Sequence, residues 1–193
     1  MATPSLHLAQ DPASDRVISE NPMALLIGMV LDQQVTIEKA FSSPAELTRR
    51  LGRPLSAQAV AALDPAELAA AFKERPALHR FPGSMAGRVQ DVCRAIAADY
   101  GGRPEAIWED ARSGEELVGR LRALPGFGEQ KAKIFAALLG KQLGVRPEGW
   151  RQATTPYGDA GSHLSVADIT DPASLEKVRA TKRAIKAKAH AGA

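Results

Sequence analysis

Cysteine is almost missing from this chain: Cys93 is the only one in 193 residues. A lone thiol closes no intramolecular disulfide and holds no iron–sulfur cluster, which needs several thiolates. Histidine is nearly as sparse. His7, His79, His163 and His190 are scattered without metal-ligand spacing, so no metal site is expected. Long apolar runs are lacking too. The richest, Met23 to Leu31, is far too short to cross a bilayer. Residues Met1 to Arg16 lack the basic stretch and apolar core of a signal peptide. No internal repeat is visible, and no segment alternates apolar and polar residues as a half-buried strand does. These absences argue against a disulfide scaffold, a solenoid, a membrane protein and a β-fold. They leave the expectation of a soluble, cytoplasmic, monomeric helical protein.

What is present fits one domain of ordinary size: 45% of the residues are hydrophobic, enough for a core. The charge is mildly basic, with 25 Lys plus Arg against 22 Asp plus Glu. Its placement is uneven. From Pro172 onward Lys177, Arg179, Lys182, Arg183, Lys186 and Lys188 face only one acid, Glu176. Such a run is either a solvated helix or a contact for a polyanion.

The pattern predicts helices nearly throughout. Asn21-Pro22 opens a helix that is apolar all round and therefore central. Asp32-Gln33-Gln34-Val35 interrupts it. Thr36 caps a helix through Phe41, and Ser43-Pro44 restarts the chain into Ala45–Leu51. Ser84 starts a longer helix, with Met85, Val89, Val92, Cys93 and Ile96 at helical spacing. Ser113 caps a helix whose stripe is Leu117, Leu121 and Leu124, and Glu129 opens the next, ending near Gly144. The expected layout is an N-terminal segment 1–20, a helical core 21–144 holding the helix pair 113–144, an irregular loop 145–171 and a basic helix 172–193.

The helix pair carries the chemistry. Pro125-Gly126-Phe127-Gly128 joins the two helices, and its glycines permit positive φ and expose backbone. Unpaired N–H groups at Glu129 and Gln130 converge with the positive helix end, which makes an anion site. Phe127 plugs the core. Lys131 and Lys133 stand close enough to reinforce a phosphate contact. The plainer alternative is a glycine turn between two core helices.

Leu124-Pro125-Gly126-Phe127-Gly128 followed by a Lys-Ala helix resembles the hairpin of the HhH-GPD superfamily of base-excision DNA glycosylases. The segment Ala24 to Thr36, centred on Gln33-Gln34, is similar to the family's early helix–Gln–helix segment. The resemblance covers about Asn21 to Gly144 and implies an all-α fold of two helical subdomains with a helix–hairpin–helix. It implies a double-stranded DNA partner, a nucleotide turned out of the stack, and a side chain at Gln34 filling the gap, with Gln33 beside it. Both glutamines could instead cap helix ends. It also implies a monovalent cation shared between hairpin carbonyls and a phosphate.

The chain departs from the family at two places. Where lyase members have a nucleophilic lysine, this chain has Gln130. Lys131, one residue on, is turned by about 100° and is expected to face DNA, not the pocket. Where active members have an Asp beyond the hairpin, the count from Leu124 reaches Glu148, with Asp168 and then Asp159 as alternatives. Each of these acids is equally a turn or cap residue. Trp150 and Tyr157, with Trp108 and His79 behind them, are candidates to stack on an extruded base, though such residues commonly just pack. The expectation is a monofunctional DNA N-glycosylase without lyase activity or cluster. The alternatives are a non-catalytic lesion binder on the same fold and a helical interaction module that touches no DNA.

Overall fold

The computed structural model describes residues 5–191, and their regular structure is helical. The expected N-terminal segment and C-terminal helix also take in residues 1–4 and 192–193, which lie outside the described residues.

Side-chain caps set most of the helix starts. Asp11 accepts from Ser14 N and starts α1 (Pro12–Glu20). Asn21 accepts from Met23 N and Ala24 N and starts α2 (Pro22–Leu31), where Pro22 needs no N–H partner. Every residue from Met23 to Leu31 is buried, as an all-round apolar helix requires. Thr36 caps α3 (Ile37–Leu51). The break expected at Ser43-Pro44 does not occur, and α3 runs through it. Pro44 has no N–H to give to Ala40 O, and the helix tolerates that one missing bond; beside it the Ser43 hydroxyl ties α3 to the following chain, lying 2.7 Å from Lys39 O and 2.8 Å from Leu78 O.

Four helices follow: α4 (Ala57–Ala61), α5 (Pro65–Lys73), α6 (Pro82–Asp99) and the single turn α7 (Ala106–Glu109). Helix α6 starts at Pro82, not Ser84. The hairpin pair is α8 (Gly114–Arg122) and α9 (Glu129–Gln142). The expected irregular loop contains a short helix α10 (Trp150–Thr154) and a 3-10 turn at Val166–Asp168, and α11 (Pro172–Ala191) closes the chain.

Packing sorts the helices into two groups. Helices α1 to α6 pack on one another around α2, α3 and α6; α7 to α10 and the 3-10 turn pack around α9, with α11 docked on the 3-10 turn. A continuous apolar core runs through both. Inside the second group, Phe135 meets Trp108 edge-on at 6.0 Å and Phe127 at 6.4 Å. Phe127 is buried, as the hairpin reading expected. Gly140 lets α9 and α10 touch, since a Cβ there would lie 2.4 Å from the Trp150 indole. The chain is thus all-α, and a cleft opens where the C-terminus of α2 meets the N-terminus of α9.

Candidate nucleic-acid interface and cleft

The hairpin turn is built from two local decisions. Gly126 takes φ +75°, a left-handed conformation that a side chain disfavours. Gly128 is extended and serves as N-cap of α9 without a side-chain hydrogen bond. The first-turn N–H groups of α9 are therefore unspent, and Gly126, Gly128, Glu129 and Gln130 are exposed. Glu129, which would repel a phosphate, turns to Lys133 at 3.0 Å. That hydrogen-bonded pairing holds its carboxyl below the usual range. Lys133 is accordingly committed to Glu129, and Arg122 adds a weaker attraction to the same carboxylate.

Lys131 does not point where the helical phase suggested. Its Nζ donates to Met29 O at 2.8 Å and to Val30 O at 3.2 Å, across the cleft. The reason is unspent acceptors. The last carbonyls of α2 have no intrahelical donor, and the negative helix end attracts a cation. Gln33 supplies two further donors there, Nε2 to Val30 O at 2.9 Å and N to Leu31 O at 2.7 Å. Lys131 thus caps the central helix from the opposite subdomain. Burial pushes its ammonium below the ordinary lysine range; Asp32 opposes this and Arg88 adds to it.

The two glutamines separate cleanly. Gln33 is an anchor: beyond its bonds to α2, its Oε1 accepts from Arg88 and its carbonyl lies 2.8 Å from His79 Nε2. His79 Nδ1 accepts from Phe81 N, so Nε2 is the nitrogen that carries the proton to Gln33. Gln34 is exposed and holds φ +56°, a left-handed conformation unusual for a residue with a Cβ.

Between these groups lies a cavity of about 380 Å³, lined chiefly by Asp32, Gln34, Gln130, Lys131, Ile134 and Lys182. Asp32, in the interruption that follows α2, is the acid in it. Burial pushes its carboxyl above the usual range, against the pull of Lys182 and then Lys131. The signal was available, because an acid directly after an all-apolar helix has little room to reach bulk water.

The carboxylates expected from the count beyond Leu124 stand elsewhere. Glu148 is exposed, and its carbonyl accepts from Gly114 N at 2.7 Å. Gly114 begins α8, whereas the hairpin follows the other end of that helix, about 13 Å away at 1.5 Å per residue. Asp168 is spent. It takes Lys141 Nζ at 2.5 Å, the Ser162 hydroxyl and the N–H groups of Leu164 and Ser165, which pins the 145–171 loop. Lys141 lies about 15 Å along α9 from Lys131. Asp159 is exposed and accepts from Thr155. None of the three lines the cleft.

The aromatic candidates also divide. Trp150 is buried on Gly140, with the Arg151 guanidinium 4.7 Å from its ring, so it packs α10 and does not line the cleft. Trp108 packs on Phe135, and His79 is committed to the Gln33 loop. Tyr157 accepts from Gln130 Nε2 at 2.8 Å and lines a separate groove of about 350 Å³ with Lys133 and Pro156. Gln130 therefore borders both spaces.

Among the described residues no cluster of three or more His, Cys, Asp and Glu is placed to hold a metal ion, and no helix is long and apolar enough to cross a membrane. A comparison with curated proteins returns no match. A family model described as HhH-GPD superfamily base excision DNA repair protein matches residues 27–190, which takes in the Gln34 turn, the hairpin, the cleft and most of α11. With that match over most of its length, the chain belongs to the HhH-GPD superfamily of base excision DNA repair proteins.

Proposed function

We propose that the protein is a DNA N-glycosylase that holds duplex DNA at the 124–130 hairpin and excises an extruded base over Asp32. One observation carries the reading: a half-buried carboxylate lies in the cleft between the free N-terminus of α9 and the Gln34 turn. The hairpin amides take a backbone phosphate, and Gln34 fills the gap left by the extruded nucleotide. A monovalent cation, as the resemblance implies, would use the second lone pair of a turn carbonyl such as Leu124 O, which already accepts from Phe127 N.

In the reaction the C1′–N bond breaks and its electron pair leaves with the base. Positive charge develops on the deoxyribose. The Asp32 carboxylate stabilises that charge, and water adds at C1′. An acid whose pKa is raised is also the better base once ionised, so Asp32 can accept the proton of that water. The leaving base takes up a proton, which completes the hydrolysis to free base and abasic sugar. Lys131 Nζ is engaged by two backbone carbonyls, which holds it away from a sugar carbon and supports hydrolysis without a Schiff-base step.

The alternative is a lesion binder without catalysis, favoured by one observation: the acids counted from the hairpin lie outside the cleft. A panel of duplexes, each with one modified base, separates the two. Abasic sites revealed by alkali on at least one member support the glycosylase. Tight binding to a lesion duplex with every strand intact supports the binder.

A further inference from the structure

Helix α11 is half packed and half unexplained. Ser174, Leu175 and Val178 are buried against the body. Beyond Arg179 only Thr181 is even half-buried, and Ala180 and residues 182–189 are exposed. Core burial therefore accounts for the first turns of the helix and for nothing after them. The exposed part is basic, with Lys182, Arg183, Lys186 and Lys188, and the chain has no acid after Glu176.

The helix is not left to drift. Arg179 is held by Glu38, in the first turn of α3, and by Glu176 at 2.6 Å. This fixes α11 across the boundary between the subdomains, beside the cleft mouth. One turn later Lys182 lines the cleft together with Asp32 and Gln34. Positions 179, 182, 183 and 186 follow the i, i+3, i+4, i+7 spacing of one helix face. The face that presents Lys182 to the cleft therefore carries Arg183 and Lys186 outward from it, over about 6 Å of helix. Lys177 and Lys188 lie off that stripe.

A nucleotide turned into the cleft brings its two flanking phosphates to the mouth. The hairpin amides serve one side of the site. We propose that α11 is a second DNA-binding element, in which Lys182, Arg183 and Lys186 hold the sugar–phosphate backbone of the strand beside the extruded nucleotide. Lys182 takes the phosphate nearest the cleft, and the other two track the strand away from it. This rests on the DNA-processing reading above, and charge complementarity together with continuity with the cleft selects the occupant. Ile185 is the one bulky apolar residue between 182 and 189, too little for the apolar face that a helix lying in a lipid surface would need.

The test is equilibrium binding of two fluorescent duplexes, one intact and one with a single tetrahydrofuran abasic analogue, across a range of KCl. The proteins are the full chain, the triple variant Lys182→Ala/Arg183→Ala/Lys186→Ala, and the off-stripe double variant Lys177→Ala/Lys188→Ala. Each lost phosphate contact lowers the slope of log affinity against log salt by about 0.9. The triple variant should lose a slope of about 2 to 3, and the double variant should keep the parent slope. Lys182→Ala alone should weaken binding to the abasic duplex more than to the intact one. A folded triple variant with the parent slope and affinity overturns the role of α11 while leaving the hairpin and cleft reading intact. A parent chain that binds neither duplex overturns the DNA reading itself, and the α11 role with it.

Discussion

Asp32→Asn should make the protein more stable at neutral pH, and the gain should fade in acid. The substitution keeps size and shape and removes one charge. In the folded state that charge is half-buried, and burial raises its pKa despite two lysines nearby. A raised folded pKa means that the folded chain binds the proton more tightly than the unfolded chain does. Stability therefore falls as pH rises through the folded pKa, and the full cost is present above it. Below the ordinary value of 3.8 the acid is protonated in both states and the cost is gone. Relieving one such group contributes about 0.5–2 kcal/mol, which in a chain of this length raises Tm by about 2–6 °C. Thermal melts of both proteins from pH 4 to 8 read the effect directly. A loss of stability at pH 7, or a gain that does not change with pH, would refute the argument and show that the carboxylate is held by favourable contacts.

Three further outcomes follow from the same geometry. Lys131→Met leaves Met29 O without its donor across the cleft and should cost about 1–2 kcal/mol; the loss should be smaller in an Asp32→Asn background, because the Lys131–Asp32 attraction is then already absent, and a double-mutant cycle of melts with no coupling would contradict this. Gln34→Gly removes a left-handed strain of about 1–2 kcal/mol, so the variant should melt no lower than the parent while losing its preference for an abasic duplex; a marked fall in Tm would return Gln34 to a structural role. Gly140→Ala drives a Cβ into the Trp150 indole, which has arginine on its face and little room to move, and should cost about 1–3 kcal/mol by denaturant titration; an unchanged midpoint would mean that α10 shifts freely.

Much of this architecture was legible in the sequence because local rules agreed with the fold. Asn21-Pro22, Thr36 and Ser113 cap the helices they were expected to cap, and the all-apolar run after Asn21 is the central helix. The hairpin turn was legible because glycines, a proline and a buried phenylalanine leave few other arrangements. The differences between expectation and structure share a cause: each depended on where a long or polar side chain would find partners distant in sequence. Pro44 reads as a helix break, yet α3 runs through it, with the neighbouring Ser43 hydroxyl tied to Leu78 O from a segment distant in sequence. Lys131 reads as a phosphate ligand until the bare carbonyls of α2 are placed opposite it. Counting along the chain points to Glu148 or Asp168, whereas the acid that lines the cavity between α2 and α9 is Asp32. The one local hint of Asp32 is that it directly follows an all-apolar helix, which leaves an acid little room to reach bulk water.

The central claim is that base excision depends on Asp32. Single-turnover formation of abasic sites should be measured on the modified duplex that the parent protein cleaves, using the parent, Asp32→Asn and Glu148→Gln. A positioned acid–base group contributes about 10²–10⁴-fold. Asp32→Asn should lose that much in rate while binding the duplex as tightly as the parent, and Glu148→Gln should cleave at the parent rate. Cleavage that survives in Asp32→Asn and disappears in Glu148→Gln would contradict the account.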